Sequence, residues 1–191
     1  MLTDPNLHKS VFLFAVVLFT AITAWTDTRW RRIPNKITLP MWIAGWLYQG
    51  LFFKLAGLLD GLYGFGIGFG LFFVLWMVGS AGGGDVKLMG ALSVWLGPGL
   101  TLKVLLCSLI FVVLGTFVVV VSSVFSNGWK RTRSRFSAAA ADSKAVSKRA
   151  ETIAQRQKRR VMAFAVPVAL ATWSVLLIFQ NEWLHRGLLN S

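Results

Sequence analysis

The stretch VKLMGALSVWLG, residues 86–97, decides how this chain is laid out. It is apolar enough to enter a bilayer, yet shorter than the roughly 20 residues a crossing helix needs. Longer apolar runs flank it at about 57–79 and 99–124, and others lie at about 11–26, 36–53 and 161–182. Counting 86–97 as a span gives six crossings; leaving it out gives five and moves all later loops to the other side. Tilt, shielding by neighbouring helices, or extension by polar residues at one end would each let so short a segment serve.

The wider composition agrees with a membrane location. Of 191 residues, 55% are hydrophobic and 14% charged, with mean hydropathy +0.64. A soluble domain of this length carries more charge. In lipid each run must be helical, because unpaired backbone groups there cost several kcal/mol. The expected fold class is therefore all-α: a polytopic integral membrane helical bundle of about six transmembrane helices, forming one domain over 1–191.

Basic residues set the orientation. Arg29, Arg31, Arg32 and Lys36 follow the first run, Lys87 follows the third, and a dense cluster from Lys130 to Arg160 follows the fifth. With six spans all of these share one side, leaving Lys9, Lys54, Lys103 and Arg186 on the other. The positive-inside rule then places the basic loops in the cytoplasm and both termini outside it. The same asymmetry is the reason for counting 86–97 as a span. The net charge of +13 is accordingly read as topology and attraction to anionic headgroups, above all in the basic loop at about 127–160, with no nucleic-acid partner. The cluster TDTRWRRIPNK after the first run fits a retained span rather than a cleaved leader. The one cysteine, Cys107, lies in an apolar run, and no cysteine cluster offers a metal site.

Gly64, Gly66, Gly68 and Gly70 give the third run two pairs of small-xxx-small spacing. The pairs 64/68 and 66/70 thin two faces, so this helix is expected between two neighbours.

Ionisable residues at membrane depth are functional candidates. Asp60 stands near the outer end of its span and reads as structural. Asp27 ends the first run and Asp85 begins the fourth, and the charge-derived topology puts both at the cytoplasmic face. Two carboxylates in a partly desolvated pocket resist double ionisation, so the pair holds one proton. The ionised member can draw a proton from water while the protonated one polarises a peptide carbonyl. That chemistry needs no metal or other cofactor. Spacing alone equally allows two interfacial acids bonded to nearby Arg and Lys.

The stretches TDTRWRRIPNKITLP (26–40) and GGGDVKLMGALSVWLGP (82–98) together resemble the type IV prepilin peptidase family, membrane aspartyl proteases with a G-x-G-D motif. Gly82, Gly84 and Asp85 match that motif, with Gly83 between the two glycines. Asp27 matches the family's first aspartate, and Ile33, Pro34 and Asn35 its I-P-N signature. The resemblance implies Asp27 and Asp85 as the catalytic pair. It also implies cleavage of a leader from a prepilin or pseudopilin at the cytoplasmic face of the bacterial inner membrane. A sequence that opens on a span and holds one cysteine resembles the short, peptidase-only branch found with tight-adherence (Flp-type) pili, for which methyl transfer is not expected. Short members open their last span with a Pro-aromatic pattern. Here RRVMAFAVPVALA (159–171) offers Phe164 as the aromatic, while Pro167 sits deeper and reads as a helix kink.

The neighbouring residues have physical readings as site-shaping groups. Pro34 stiffens the turn into the second helix and Asn35 can cap it. Gly82, Gly83 and Gly84 admit a close peptide or a positive φ. Lys87 either favours the ionised form of Asp85 or extends to the headgroups. Two other classes stay open: a small proton- or ion-coupled transporter, and a non-catalytic scaffold of a secretion machine. The transporter reading lacks a mid-membrane carboxylate in any span and a convincing inverted repeat.

Overall fold

The computed structural model describes residues 5–127 and 164–179. Regular structure among them is entirely helical: α1 (Pro5–Trp30), α2 (Asn35–Met77), α3 (Gly83–Asn127) and α4 (Ala165–Ile178). Leu7–Trp30, Asn35–Met77 and Gly83–Val118 are long and apolar enough to cross a membrane, and α4 is a shorter apolar helix. The basic segment at about 127–160 lies outside the described residues beyond Asn127, as do both ends of the expected sixth span.

Where six separate spans are expected, two of the four helices are long and internally broken. At 43 residues α2 would run about 65 Å if straight, twice the ~30 Å hydrocarbon core. Its backbone leaves the helix at Lys54 (φ 54°, ψ −138°), between the second and third expected spans. The chain reverses there. A Cβ on Gly57 would lie 2.5 Å from the Gln49 carbonyl oxygen, although residues eight apart on a straight helix stand about 12 Å apart. Farther along, the Trp42 and Phe65 rings meet at 6.1 Å. In α3 the break falls at Gly97 (φ 65°, ψ −178°), between the fourth and fifth expected spans. That conformation is essentially restricted to glycine.

The first arm of α3 is the hub, and residues 88–97 are all buried. Neighbouring helices do shield this short segment, and its helix also begins three residues earlier, at Gly83, with Asp85 in the first turn. Both arms of α2 pack on it, and α4 and α1 also contact α3. On the outgoing arm of α2, Gly57, Gly61, Gly64 and Gly68 are buried in one stripe. A Cβ on Gly64 would meet the Ser93 carbonyl and the Gly97 backbone, and one on Gly68 would lie 2.6 Å from Ser93 Cβ. Gly66 and Gly70 have nothing within 4 Å of a Cβ position. Among the described residues, the expectation of two glycine packing faces is therefore corrected to one, because none of them packs against the 66/70 side of the helix.

Pro98 follows the break and has no N–H to offer the carbonyl of Val94, four residues back. Gln49, only 2% exposed, donates Nε2 to that oxygen at 2.8 Å. Trp95 Nε1 donates to the Met41 carbonyl at 2.9 Å, and the Trp95 ring stacks on Tyr48. The first arm of α2 is thus held to the hub by partners of broken backbone and by ring contact together.

In α1 the buried hydroxyls of Thr20 and Thr23 bond the carbonyls of Val16 and Phe19, so these polar residues cost little inside an apolar bundle. The expected kink at Pro167 is absent. Pro167 is the third residue of α4, in the first turn, where a helix has no intrahelical partner for its N–H groups.

Two outcomes follow. Gln49→Leu leaves the buried Val94 carbonyl without its donor and should lower stability by about 1–3 kcal/mol. Gly64→Ala should destabilise by about 1–3 kcal/mol through overpacking, whereas Gly66→Ala should be neutral or stabilising by up to about 1 kcal/mol. Reversible unfolding in mixed micelles measures both, and equal losses at 64 and 66 would contradict the one-faced packing.

Candidate active site

One end of the bundle gathers the last turn of α1 and the first turns of α2, α3 and α4. α1 stops when Arg31 takes a positive φ of 51° and its N–H bonds the Asp27 carbonyl at 2.8 Å. Pro34 is extended (φ −73°, ψ 141°), and its carbonyl accepts from Ile37 N at 3.1 Å. Pro34 therefore stands at the N-cap of α2, at the entry to that helix.

Asn35 does not cap α2. Its Oδ1 accepts from Lys87 Nζ at 2.8 Å, across to α3. Lys87 is exposed, and its ammonium has this partner rather than only headgroups or Asp85. The side chain of Ile33 lies 3.6 Å from where a Gly84 Cβ would stand. Contact and hydrogen bond together bring the Ile33–Pro34–Asn35 stretch against the glycine–aspartate stretch, which the sequence leaves about 50 residues away.

α2 ends at a glycine C-cap. Gly79 has φ 84°, its N–H bonds the Trp76 carbonyl at 2.9 Å, and Ser80 N bonds Leu75 O at 2.8 Å. The positive φ thus falls on Gly79; Gly82, Gly83 and Gly84 adopt none, which corrects that part of their expected role. The openings at Gly83 and Gly84 are of ordinary van der Waals size, toward Trp76 at 3.7 Å and Ile33 at 3.6 Å.

Gly82 precedes α3 and has no side chain to cap it. Asp85, at the third helical position, reaches back instead: Gly82 N donates to Asp85 Oδ2 at 3.1 Å, while Asp85 N donates to the Gly82 carbonyl at 3.0 Å. This is the reciprocal half of a capping box, and the first turn of a helix favours a negative side chain. Asp85 is 4% exposed.

Asp27 is 5% exposed, and its Oδ2 accepts from Ala165 N, the first amide of α4, at 3.1 Å. Beside it the Phe164 ring packs on Phe72 at 5.2 Å. Each aspartate therefore has one oxygen held by a main-chain N–H at a helix start. Sequence reasoning singled out Phe164 but missed the Ala165 amide, since a backbone donor leaves no residue signature. Gln49 was missed as well; a lone amide in the apolar run at 36–53 was its only trace.

Asp60 lies six residues past the Lys54 turn, at the opposite end of the α2 hairpin, as its structural reading requires. Among the described residues no three His, Cys, Asp or Glu side chains group as metal ligands.

No curated protein and no solved structure matches the chain. The sequence model of the type IV leader peptidase family matches residues 12–123 of the 191. The match takes in both aspartates and both motif stretches, and α4 falls beyond it. With more than half of its length matched, this helical membrane chain belongs to the type IV leader peptidase family and is a protease of that kind.

Proposed function

We propose that the protein is an intramembrane aspartic endopeptidase that removes the leader of Flp-like type IV prepilins, with Asp27 and Asp85 as its catalytic pair. The observation that carries this reading is the burial of both carboxylates at one end of the bundle, each anchored to a helix start. An aspartyl pair works with one carboxylate ionised and the other protonated. One carboxylate takes a proton from water as that water attacks the scissile carbonyl. The protonated partner donates to the carbonyl oxygen as it becomes an alkoxide. Collapse of the alkoxide back to a carbonyl expels the amine, which takes the proton that the first carboxylate drew from the water, and the pair returns to its starting state.

The glycines 82–84 present a wall of main chain with little side-chain cover to an extended peptide. The Lys87–Asn35 bond ties that wall to the start of α2. The breaks at Lys54 and Gly97 divide the four helices of the described residues into six arms, and the asymmetry of basic residues supports six crossings with the site at the cytoplasmic face. The basic segment after α3 would then meet anionic headgroups. A transporter would need an acid near mid-membrane, whereas Asp27 and Asp85 each stand within a turn of a helix end.

Asp27→Asn and Asp85→Asn should each reduce leader cleavage by about two to four orders of magnitude. An asparagine oxygen can still accept each capping bond, so both variants should unfold within a few degrees of the unmodified protein in detergent. Following a purified prepilin on gels with proteoliposomes measures the first effect. Normal processing by either variant would sink the catalytic pair.

A further inference from the structure

The Asp27–Ala165 hydrogen bond joins residues 138 positions apart, and its donor lies outside the segment matched by the family. The first N–H groups of a helix have no partner within it. Ala165 is 1% exposed, so water does not serve its amide, and Phe164 before it makes no side-chain cap. Asp27 is the cap, supplied from another helix.

The register of that contact is set farther along the same seam. Trp173 Nε1 donates to Thr20 Oγ1 at 3.0 Å. Thr20 and Asp27 are seven residues apart on α1, and Ala165 and Trp173 eight apart on α4. Each pair lies along one face of its helix, so the two bonds pin an antiparallel α1–α4 seam at two points about two turns apart. The Phe164–Phe72 contact fixes the start of α4 against α2 as well.

We propose that the backbone N–H of Ala165 is a positioning group for Asp27, holding the carboxylate at the angle from which it acts on the substrate. The proposal rests on the catalytic reading of Asp27. The torsion that turns an Asp carboxyl has broad, shallow wells, so packing alone orients it weakly. An N–H bond to a carboxylate is charge-assisted and directional. Asp85 obtains such a donor three residues away, as soon as its own helix forms. The Ala165 amide reaches Asp27 across 138 residues, through the docking of α4 on α1. This part of the alignment of the site therefore comes from α4.

The test uses the full chain in lipid nanodiscs. Replacing Ala165 by its α-hydroxy analogue, lactic acid, through nonsense suppression exchanges the N–H for an ester oxygen and keeps the methyl group. Turnover of a prepilin should fall about tenfold, within the range that sub-ångström misplacement of a catalytic group produces. KM should stay close to that of the unmodified protein, and the unfolding temperature should fall only by the few degrees that loss of one cap bond produces. The equivalent ester at Val166, the next amide, should leave kcat unchanged. Trp173→Phe, which keeps a ring and loses the Thr20 bond, should lower kcat by a smaller factor at constant KM. Unchanged kcat with the 165 ester, or equal losses at 165 and 166, would overturn the positioning role. If Asp27→Asn cleaves normally, the catalytic reading fails and this inference with it. If Asp27→Asn is inactive while the 165 ester is fully active, only this inference fails.

Discussion

A backbone N–H or carbonyl inside a membrane bundle has no water to turn to, and each helix break or helix end must find a partner within the protein. Much of this structure answers that constraint. The break at Gly97–Pro98 deprives the Val94 carbonyl of its helical partner, and Gln49 supplies the replacement. The start of α3 has a glycine where a capping side chain would stand, and Asp85 satisfies the Gly82 amide from within the helix. The start of α4 has Phe164 in the same place, and Asp27 satisfies the Ala165 amide from α1. The two acids that carry the proposed chemistry are also the caps of two helices. Site and scaffold therefore share the same hydrogen bonds.

Close approach of backbones is the second consequence. Apolar side chains have no driving force to associate when lipid is equally apolar, so helices gain by contact along faces of small residues. The stripe Gly57, Gly61, Gly64 and Gly68 lets the outgoing arm of α2 reach the main chain of α3 at Ser93 and Gly97. Enclosure on several sides makes the arm containing 86–97 workable despite its length. Its hydrogen bonds and side chains face protein rather than the full thickness of hydrocarbon. The start of that buried arm is where Asp85 stands, which keeps the acid sheltered within the first turn of its helix.

Much of the fold was legible in the chain, because hydropathy and breaker residues are local signals. The boundary after the fourth apolar run coincides with Gly97, whose backbone conformation only glycine accepts readily. The boundary between the second and third runs coincides with Lys54, a polar residue between two apolar arms. Local signals were weaker where two geometries satisfy one pattern. Gly66 and Gly70 have the same spacing as Gly64 and Gly68, yet only the latter pair meets a neighbour. Pro167 lies deep in an apolar run that reads as a span from about 161, but α4 begins at Ala165, and a proline in a first turn bends nothing. Asn35 has the chemistry of a cap, and Lys87 drew its side-chain oxygen elsewhere.

By itself the sequence determined the helical class, the places where helices break, and the two motif stretches with their aspartates. Each depends on residues close together in the chain: an apolar run, a glycine before a proline, an acid after glycines. Only the tertiary structure decided which face of α2 is a packing face, which neighbours shield 86–97, and how the Ile33–Pro34–Asn35 stretch meets Gly84 and Lys87. It alone supplied the donor for Asp27. A backbone amide is the same at every residue but proline, so the sequence cannot mark the one that a distant carboxylate will need. That choice belongs to the register in which α4 docks on α1.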